Sequence, residues 1–257
     1  MRVWMIAPLC LLFVAPADAR RRAVSPAILP AGHILFIGAH PDDEVVAAPL
    51  LGAMCGEGGS TCSFLVLTKG EGGTCALPVC SPDLGSVRQN EMLASAAIFS
   101  GTVTQWTLPD VLADVAGAWS PRDALIERIA DAIRIEQPEV VITFEPAHGT
   151  TCHPAHRETG RLVIEAVARL GQPAPHLYLL ETVASLDATA YRFAPGAAPA
   201  MAFDASPYWQ VIVDAASAHQ SQFSTAQLEA LRSTAVVQRK VWLARAEATR
   251  TTTAHCD

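Results

Sequence analysis

The stretch "ILFIGAHPDDEVVAAPL", residues 34–50, decides how this chain folds. Apolar and small residues run without a break from Ile34 to Ala39 and stop at His40, Pro41, Asp42, Asp43 and Glu44, after which the apolar pattern resumes. A strand that is apolar on both of its faces is one covered on both sides, as in a parallel sheet. Charge at the end of such a strand is costly unless it is paired or holds a metal. The stretch therefore predicts a buried strand with a charged site at its carboxyl end.

The same grammar repeats along the chain. Residues 62–68, 102–108, 139–145 and 176–182 read as further strands, and 208–214 as a sixth. Helical patterns lie between them: 43–55, 86–100 with Ser86 as N-cap, 120–137 with Ser120 as N-cap and Pro121 at its first position, and 154–170. A long terminal helix, or a pair of helices, is expected over about 214–249. Alternating β and α units predict a Rossmann-like α/β fold, a mostly parallel sheet with helices on both faces. Ligands in such folds bind beyond the carboxyl ends of the strands. His40 to Glu44 lie there after the first strand, and Glu145, His148, His153 and His156 after the fourth. No G-x-G-x-x-G follows the first strand, and carboxylates at that turn repel a pyrophosphate, so a dinucleotide is not expected.

Length and composition set the frame. The 257 residues suit one large α/β domain, and no repeat or linker divides them. A net charge of −7 gives no basic stripe for nucleic acid. The chain opens with Arg2, an apolar run to about Val14 and Ala17-Asp18-Ala19, the pattern of a secretory signal with its cleavage site. The expected organisation is a signal peptide over 1–19 and a single domain over 20–257, secreted or periplasmic, with no stable membrane span after cleavage. Arg20, Arg21 and Arg22 follow the site, and positive charge there opposes export; a retained N-terminal anchor is the alternative. Export leaves six cysteines, an even number suited to disulfides. Of 15 connectivities, the local pairs Cys55/Cys62 and Cys75/Cys80, leaving Cys152 with Cys256, are the simplest.

"AHPDDE" (39–44) offers an imidazole and a carboxylate three residues apart, and "CHPAHRETG" (152–160) offers two imidazoles three apart at a helix start. Two imidazoles and a carboxylate suit zinc, with a fourth position open for water or substrate. These residues resemble the zinc-dependent LmbE/PIG-L deacetylases, which remove N-acetyl groups from glucosamine-type sugars. Supporting segments are "VLTKGEGG" (66–73), "RQNEMLASAAIFSG" (88–101), Leu108-Pro109-Asp110 and "AHQSQF" (218–223). The resemblance implies that His40, Asp43 and His156 hold zinc, or iron(II) in its place. It implies that Asp42 is the general base, that His153 polarises the carbonyl oxygen or protonates the leaving amine, and that Arg88 and Asp110 contact substrate. The implied substrate is a small molecule or glycan carrying an N-acetylated amino sugar.

Two positions depart from the family pattern. Ala155 stands where relatives have an acid, which removes a partner for a ligand histidine. Thr151 stands where an aromatic hydroxyl is common. Two rival functions remain open: an amidase or esterase acting on a non-sugar conjugate at the same site, and a non-catalytic zinc-dependent binding module. Asp42 speaks against the second, since a pure binder needs no base. His33 and His176 read as structural, His219 as structural or a donor to a carboxylate, and Trp106, Trp119, Trp209 and Trp242 as packing or a sugar platform. The leader reading carries its own test: intact-mass analysis of exported protein should find Arg20 at the N-terminus, and a membrane-held chain retaining 1–19 would favour the anchor.

Overall fold

A computed structural model describes residues 29–57, 59–78, 80–186, 191–196, 199–246 and 256. The expected leader, residues 1–19, lies outside them. The core is a seven-stranded sheet in the order β3-β2-β1-β4-β5-β9-β8. Its parallel part comprises β1 (His33–Gly38), β2 (Thr61–Thr68), β3 (Thr102–Leu108), β4 (Val140–Phe144) and β5 (His176–Leu180). Two antiparallel strands extend the β5 edge: β9 (Lys240–Arg245) pairs with β5, and β8 (Met201–Asp204) with β9. A separate hairpin joins β6 (Thr182–Leu186) to β7 (Tyr191–Pro195).

The alternation along β1 builds two cores. Ile34 and Phe36 face one side of the sheet, with Phe64, Val140 and Ile142; Leu35 and Ile37 face the other, with Leu65, Leu67 and Val141. Helices cover both faces. On the Phe36 side lie α1 (Ala48–Leu51), α2 (Leu84–Ile98) and α7 (Trp209–Ala218). On the Leu35 side lie α3 (Val115–Ala118), α4 (Arg122–Glu136) and α6 (Pro154–Arg169). A short turn, α5 (Gly149–Cys152), precedes α6, and α8 (Thr225–Ser233) follows α7. Strand order runs outward from β1 through β2 to β3 on one side and through β4 to β5 on the other. The β1/β4 boundary is therefore the switch point at which an open α/β sheet leaves a crevice.

Several sequence expectations are corrected. Residues 208–214 are not a strand: Trp209, Ile212, Val213 and Ala216 share the buried face of α7, at spacings of three and four. The terminal segment is not all helix, since 240–245 form β9. The cap of α2 is Asp83, whose carboxylate accepts from the Ser86 amide at 3.0 Å, so Ser86 lies inside the helix. Helix α4 begins at Arg122 with Pro121 at its cap position, rather than with Ser120 as cap. The stretch after Asp42 is a composite, a 3-10 turn (Asp43–Ala47) running into α1 and then a π turn (Gly52–Glu57).

Among the described residues the six cysteines pair as Cys55–Cys62, Cys75–Cys80 and Cys152–Cys256. No helix among those residues is long and apolar enough to cross a membrane. Peptide mapping of unreduced protein should recover these three cross-links, and thiol titration of the unfolded, unreduced chain should find no free thiol among them. A free Cys152 would contradict the pairing.

Candidate metal and catalytic site

Three side chains from two strand ends converge at the switch point. His40 Nδ1 lies 3.1 Å from His156 Nε2, His156 Nε2 lies 2.9 Å from Asp43 Oδ1, and Asp43 Oδ1 lies 3.6 Å from His40 Nδ1. All three side chains are buried. Four ligands at about 2.0–2.1 Å around tetrahedral zinc stand about 3.3 Å apart, so this triangle has the size of one face of such a polyhedron. His153 is the fourth member of the cluster. Its ring, with those of His40 and His156, presents nitrogens that all lie within 4.8 Å of one another.

The outer hydrogen bonds orient the rings. His156 Nδ1 donates to the Gly149 carbonyl at 2.9 Å, which turns Nε2 toward the cluster. That carbonyl orients the ring although residue 155 is alanine and has no acid to offer. His40 Nε2 donates to Asp110 Oδ1 at 3.1 Å, which leaves Nδ1 facing inward. An imidazole held by an outer carbonyl or carboxylate is the arrangement that metal-ligating histidines use. His153 differs: it caps α6, and its Nδ1 accepts from the Ala155 amide at 3.3 Å. Its Nε2 must therefore carry the proton and act as a donor.

The ionisation pattern separates the groups. Burial disfavours charge on His40, but the hydrogen bond to Asp110 and the Asp43 carboxylate outweigh it and push its pKa up to about 10, so its inner Nδ1 carries a proton that a metal would displace. Burial and the neighbouring imidazoles push His153 down to about 4, so it is neutral at pH 7. Burial favours the neutral Asp43, yet His156 and His40 outweigh it and hold the carboxyl well below its ordinary range. Its Oδ2 also accepts the Ala39 and His40 amides, at 2.6 and 2.9 Å. Asp42 moves the opposite way: burial raises it despite Arg88, whose Nη2 lies 3.1 Å from Asp42 Oδ1. Two adjacent carboxyls are thus driven apart, a signature of divided roles. The backbone of Asp42 has φ 116°, a left-handed conformation that costs a non-glycine residue about 1–3 kcal/mol.

A cavity of about 750 Å³ opens over these groups. Arg88 and Asp110 line it, but their polar atoms are tethered: Arg88 also donates to the Gly70 and Pro41 carbonyls, and Asp110 Oδ2 accepts the Gly72 amide. Val45, Phe193, Ile212 and Leu231 give it an apolar wall. None of the four tryptophans considered as a sugar platform lines it. Tyr191 does, and sequence reasoning missed it; burial and the Asp42 charge push its hydroxyl up to about 12. Its place on β7, about 150 residues from Asp42, left no local signal. Glu145 and His148 stay outside the cavity. Glu145 accepts the Ala147 and His148 amides, and His148 Nδ1 accepts the Thr150 amide, so both shape the loop that carries His153. Cys152 is tied to Cys256, and His33 and His176 bond to Ser63 and Arg245 away from the site.

The family model for GlcNAc-PI de-N-acetylase, PIG-L, matches residues 35–167, just over half of the chain. The chain belongs to the PIG-L family. It is 29% identical over 172 residues to a 1D-myo-inositol 2-acetamido-2-deoxy-alpha-D-glucopyranoside deacetylase of Corynebacterium urealyticum, an alignment covering 56% of this chain and 51% of the relative. The chain thus spans about half the length of that relative. Among solved structures it is similar in fold to an N,N'-diacetylchitobiose deacetylase of Pyrococcus horikoshii, with a TM-score of 0.65, 20% identity and 83% of each chain covered. It is also similar to the 4-carboxy-2-hydroxymuconate hydratase of a Pseudomonas putida strain, with a TM-score of 0.62, 18% identity, and 86% of this chain and 99% of the other covered. One PIG-L fold therefore accompanies more than one reaction name, and the activity has to be argued from the site.

Gly149 ties the loop to the His40–Asp43–His156 triangle. It has φ 50°, and a Cβ there would stand 2.8 Å from the His156 Cβ. Gly149→Ala should destabilise the fold by about 1–3 kcal/mol and disturb the His156 ring, read as a lower denaturation midpoint and altered His156 chemical shifts. An unchanged midpoint would contradict the close packing.

Proposed function

We propose that this protein is a metal-dependent deacetylase that hydrolyses the N-acetyl amide of an amino sugar or its conjugate. The observation that carries the reading is the division of labour within one cluster. Three inward-facing atoms, His40 Nδ1, His156 Nε2 and Asp43 Oδ1, form a triangle of tetrahedral size, with Asp42 and His153 beside it. The donor set suits zinc, with iron(II) as the alternative. A metal bound there supplies Lewis acidity and brings the pKa of water to about 7.

The chain's own residues do the rest. Asp42, raised by burial and open to the cavity, takes the proton of the attacking water. His153 is neutral with its proton on Nε2, so it donates to the carbonyl oxygen as negative charge grows there. The C–O bond forms, the C–N bond breaks, and Asp42 returns its proton to the departing amine nitrogen. Arg88 and Asp110 face the substrate from the wall while also holding Asp42 and His40 in place. The size of the cavity and its apolar wall favour a conjugate over a free monosaccharide. The reading of the domain as an exported one, cleaved after Ala19, accords with the three disulfides.

Metal analysis with acetate-release kinetics tests these roles on single variants. Asp43→Ala, His40→Ala and His156→Ala should each lose metal. Asp42→Asn should keep the metal and lose on the order of 10²–10⁴-fold in kcat, and His153→Ala should behave in the same way. If Asp42→Asn lost the metal while Asp43→Ala kept it, the two roles would be exchanged. If the intact protein released no acetate from N-acetylglucosamine or its alkyl glycosides, the deacetylase reading would fail, and a non-sugar amide or ester would be the next substrate to test.

A further inference from the structure

Glu44 is the acid of the opening stretch that this reaction leaves without a task. It is 1% exposed, and its carboxylate is a junction between three parts of the chain. Oε1 accepts from Ser95 Oγ of α2 at 2.5 Å and from His219 Nε2, just past α7, at 2.6 Å. Oε2 accepts the backbone amide of Asp42 at 3.3 Å. His219 is fully buried, and its Nδ1 has no hydrogen-bond partner among the described residues. Its ring thus spends its one directed bond on Glu44.

Helix α2 brings the matching supports from a single face. Arg88, Glu91 and Ser95 are spaced by three and four residues and so point the same way. Arg88 holds the Asp42 carboxylate and the Pro41 carbonyl, Ser95 holds Glu44, and Glu91 grips both the amide and the hydroxyl of Ser221, two residues after His219. Asp42 sits at the centre with a backbone conformation that a non-glycine residue keeps only when its surroundings impose it. Its own side chain makes no capping bond to the turn that follows. Besides the turn's own backbone bonds, its peptide is met from outside by the hydrogen bond from its amide to Glu44 and by the Arg88 contacts.

We propose that Glu44 and His219 are positioning residues for Asp42: their buried pair, braced by Ser95, fixes the Asp42 peptide at positive φ so that its carboxylate faces the cavity. This rests on the reading of Asp42 as the general base. Without His219, the Glu44 carboxylate is left buried with too few donors and turns to find others, releasing the Asp42 amide. A structural role alone would lower stability without moving Asp42 or selectively lowering kcat.

The test uses the full-length zinc-loaded protein and its variants His219→Gln, His219→Leu and Ser95→Ala. The glutamine amide can still donate to Glu44, and leucine cannot. Crystal structures, zinc per chain, kcat and KM are measured for each. In His219→Leu, Asp42 should leave the positive-φ region, and kcat should fall by roughly 10- to 100-fold, the scale of a misplaced catalytic group, with KM little changed and zinc still at one per chain. His219→Gln should recover most of kcat, and Ser95→Ala should lose a smaller part of it. An unmoved Asp42 with unchanged kcat in His219→Leu overturns the proposal, as does a kcat loss that merely follows zinc loss. If His219→Leu does not fold, Ser95→Ala decides: unchanged kcat and an unmoved Asp42 overturn the proposal. If the parent protein releases no acetate, the deacetylase reading fails separately, and the position of Asp42 in the variant crystals still decides this one.

Discussion

The cost of burying charge at the carboxyl ends of β1 and β4 is the constraint on which the rest of the structure depends. His40, Asp43 and His156 are all removed from water within one triangle. Unpaired, such groups would destabilise the fold by several kcal/mol. Each is therefore met by a partner on its outer side: Asp110 for His40, the Gly149 carbonyl for His156, and the Ala39 and His40 amides for Asp43. What remains on the inner side is a set of nitrogen and oxygen atoms facing one point. The strained Asp42 backbone and the left-handed Gly149 and Thr150 are local consequences of aiming them.

Much of this was legible because parallel sheets write themselves plainly. Residues 34–39, 62–68 and 139–145 are apolar on both faces, and covering them requires helices on both sides. The charged residues at two of those strand ends then had to share a crevice. Other parts left no such mark. Residues 208–214 alternate well enough for a strand, yet the same residues also place Trp209, Ile212 and Val213 on one helical face, and only packing against α1 and α2 decides. Strand β9 adds an antiparallel edge to a parallel sheet, a pairing set by the far end of the chain.

The site shows the same division. The spacings H-x-x-D and H-x-x-H pointed to a candidate metal constellation, but not to how its histidines are held. His156 takes its outer partner from the Gly149 backbone carbonyl, and a carbonyl has no residue type to read. Asp110 and Arg88 were expected to contact substrate; both line the cavity, and both also spend polar atoms on His40 and Asp42. Tyr191 enters from a hairpin whose position no local pattern could specify. Membership of the PIG-L family and the shared fold set the frame for these details, while the chemistry depends on which side-chain atoms point inward.

That dependence is sharpest for His153, which belongs to the cluster by distance but spends its Nδ1 on the cap bond from the Ala155 amide. An anomalous-diffraction structure of the zinc-loaded protein tests it most directly. The account predicts zinc at about 2.0–2.2 Å from His40 Nδ1, His156 Nε2 and an Asp43 oxygen, with His153 Nε2 outside bonding distance. Zinc bound to His153 with Asp43 released would contradict it.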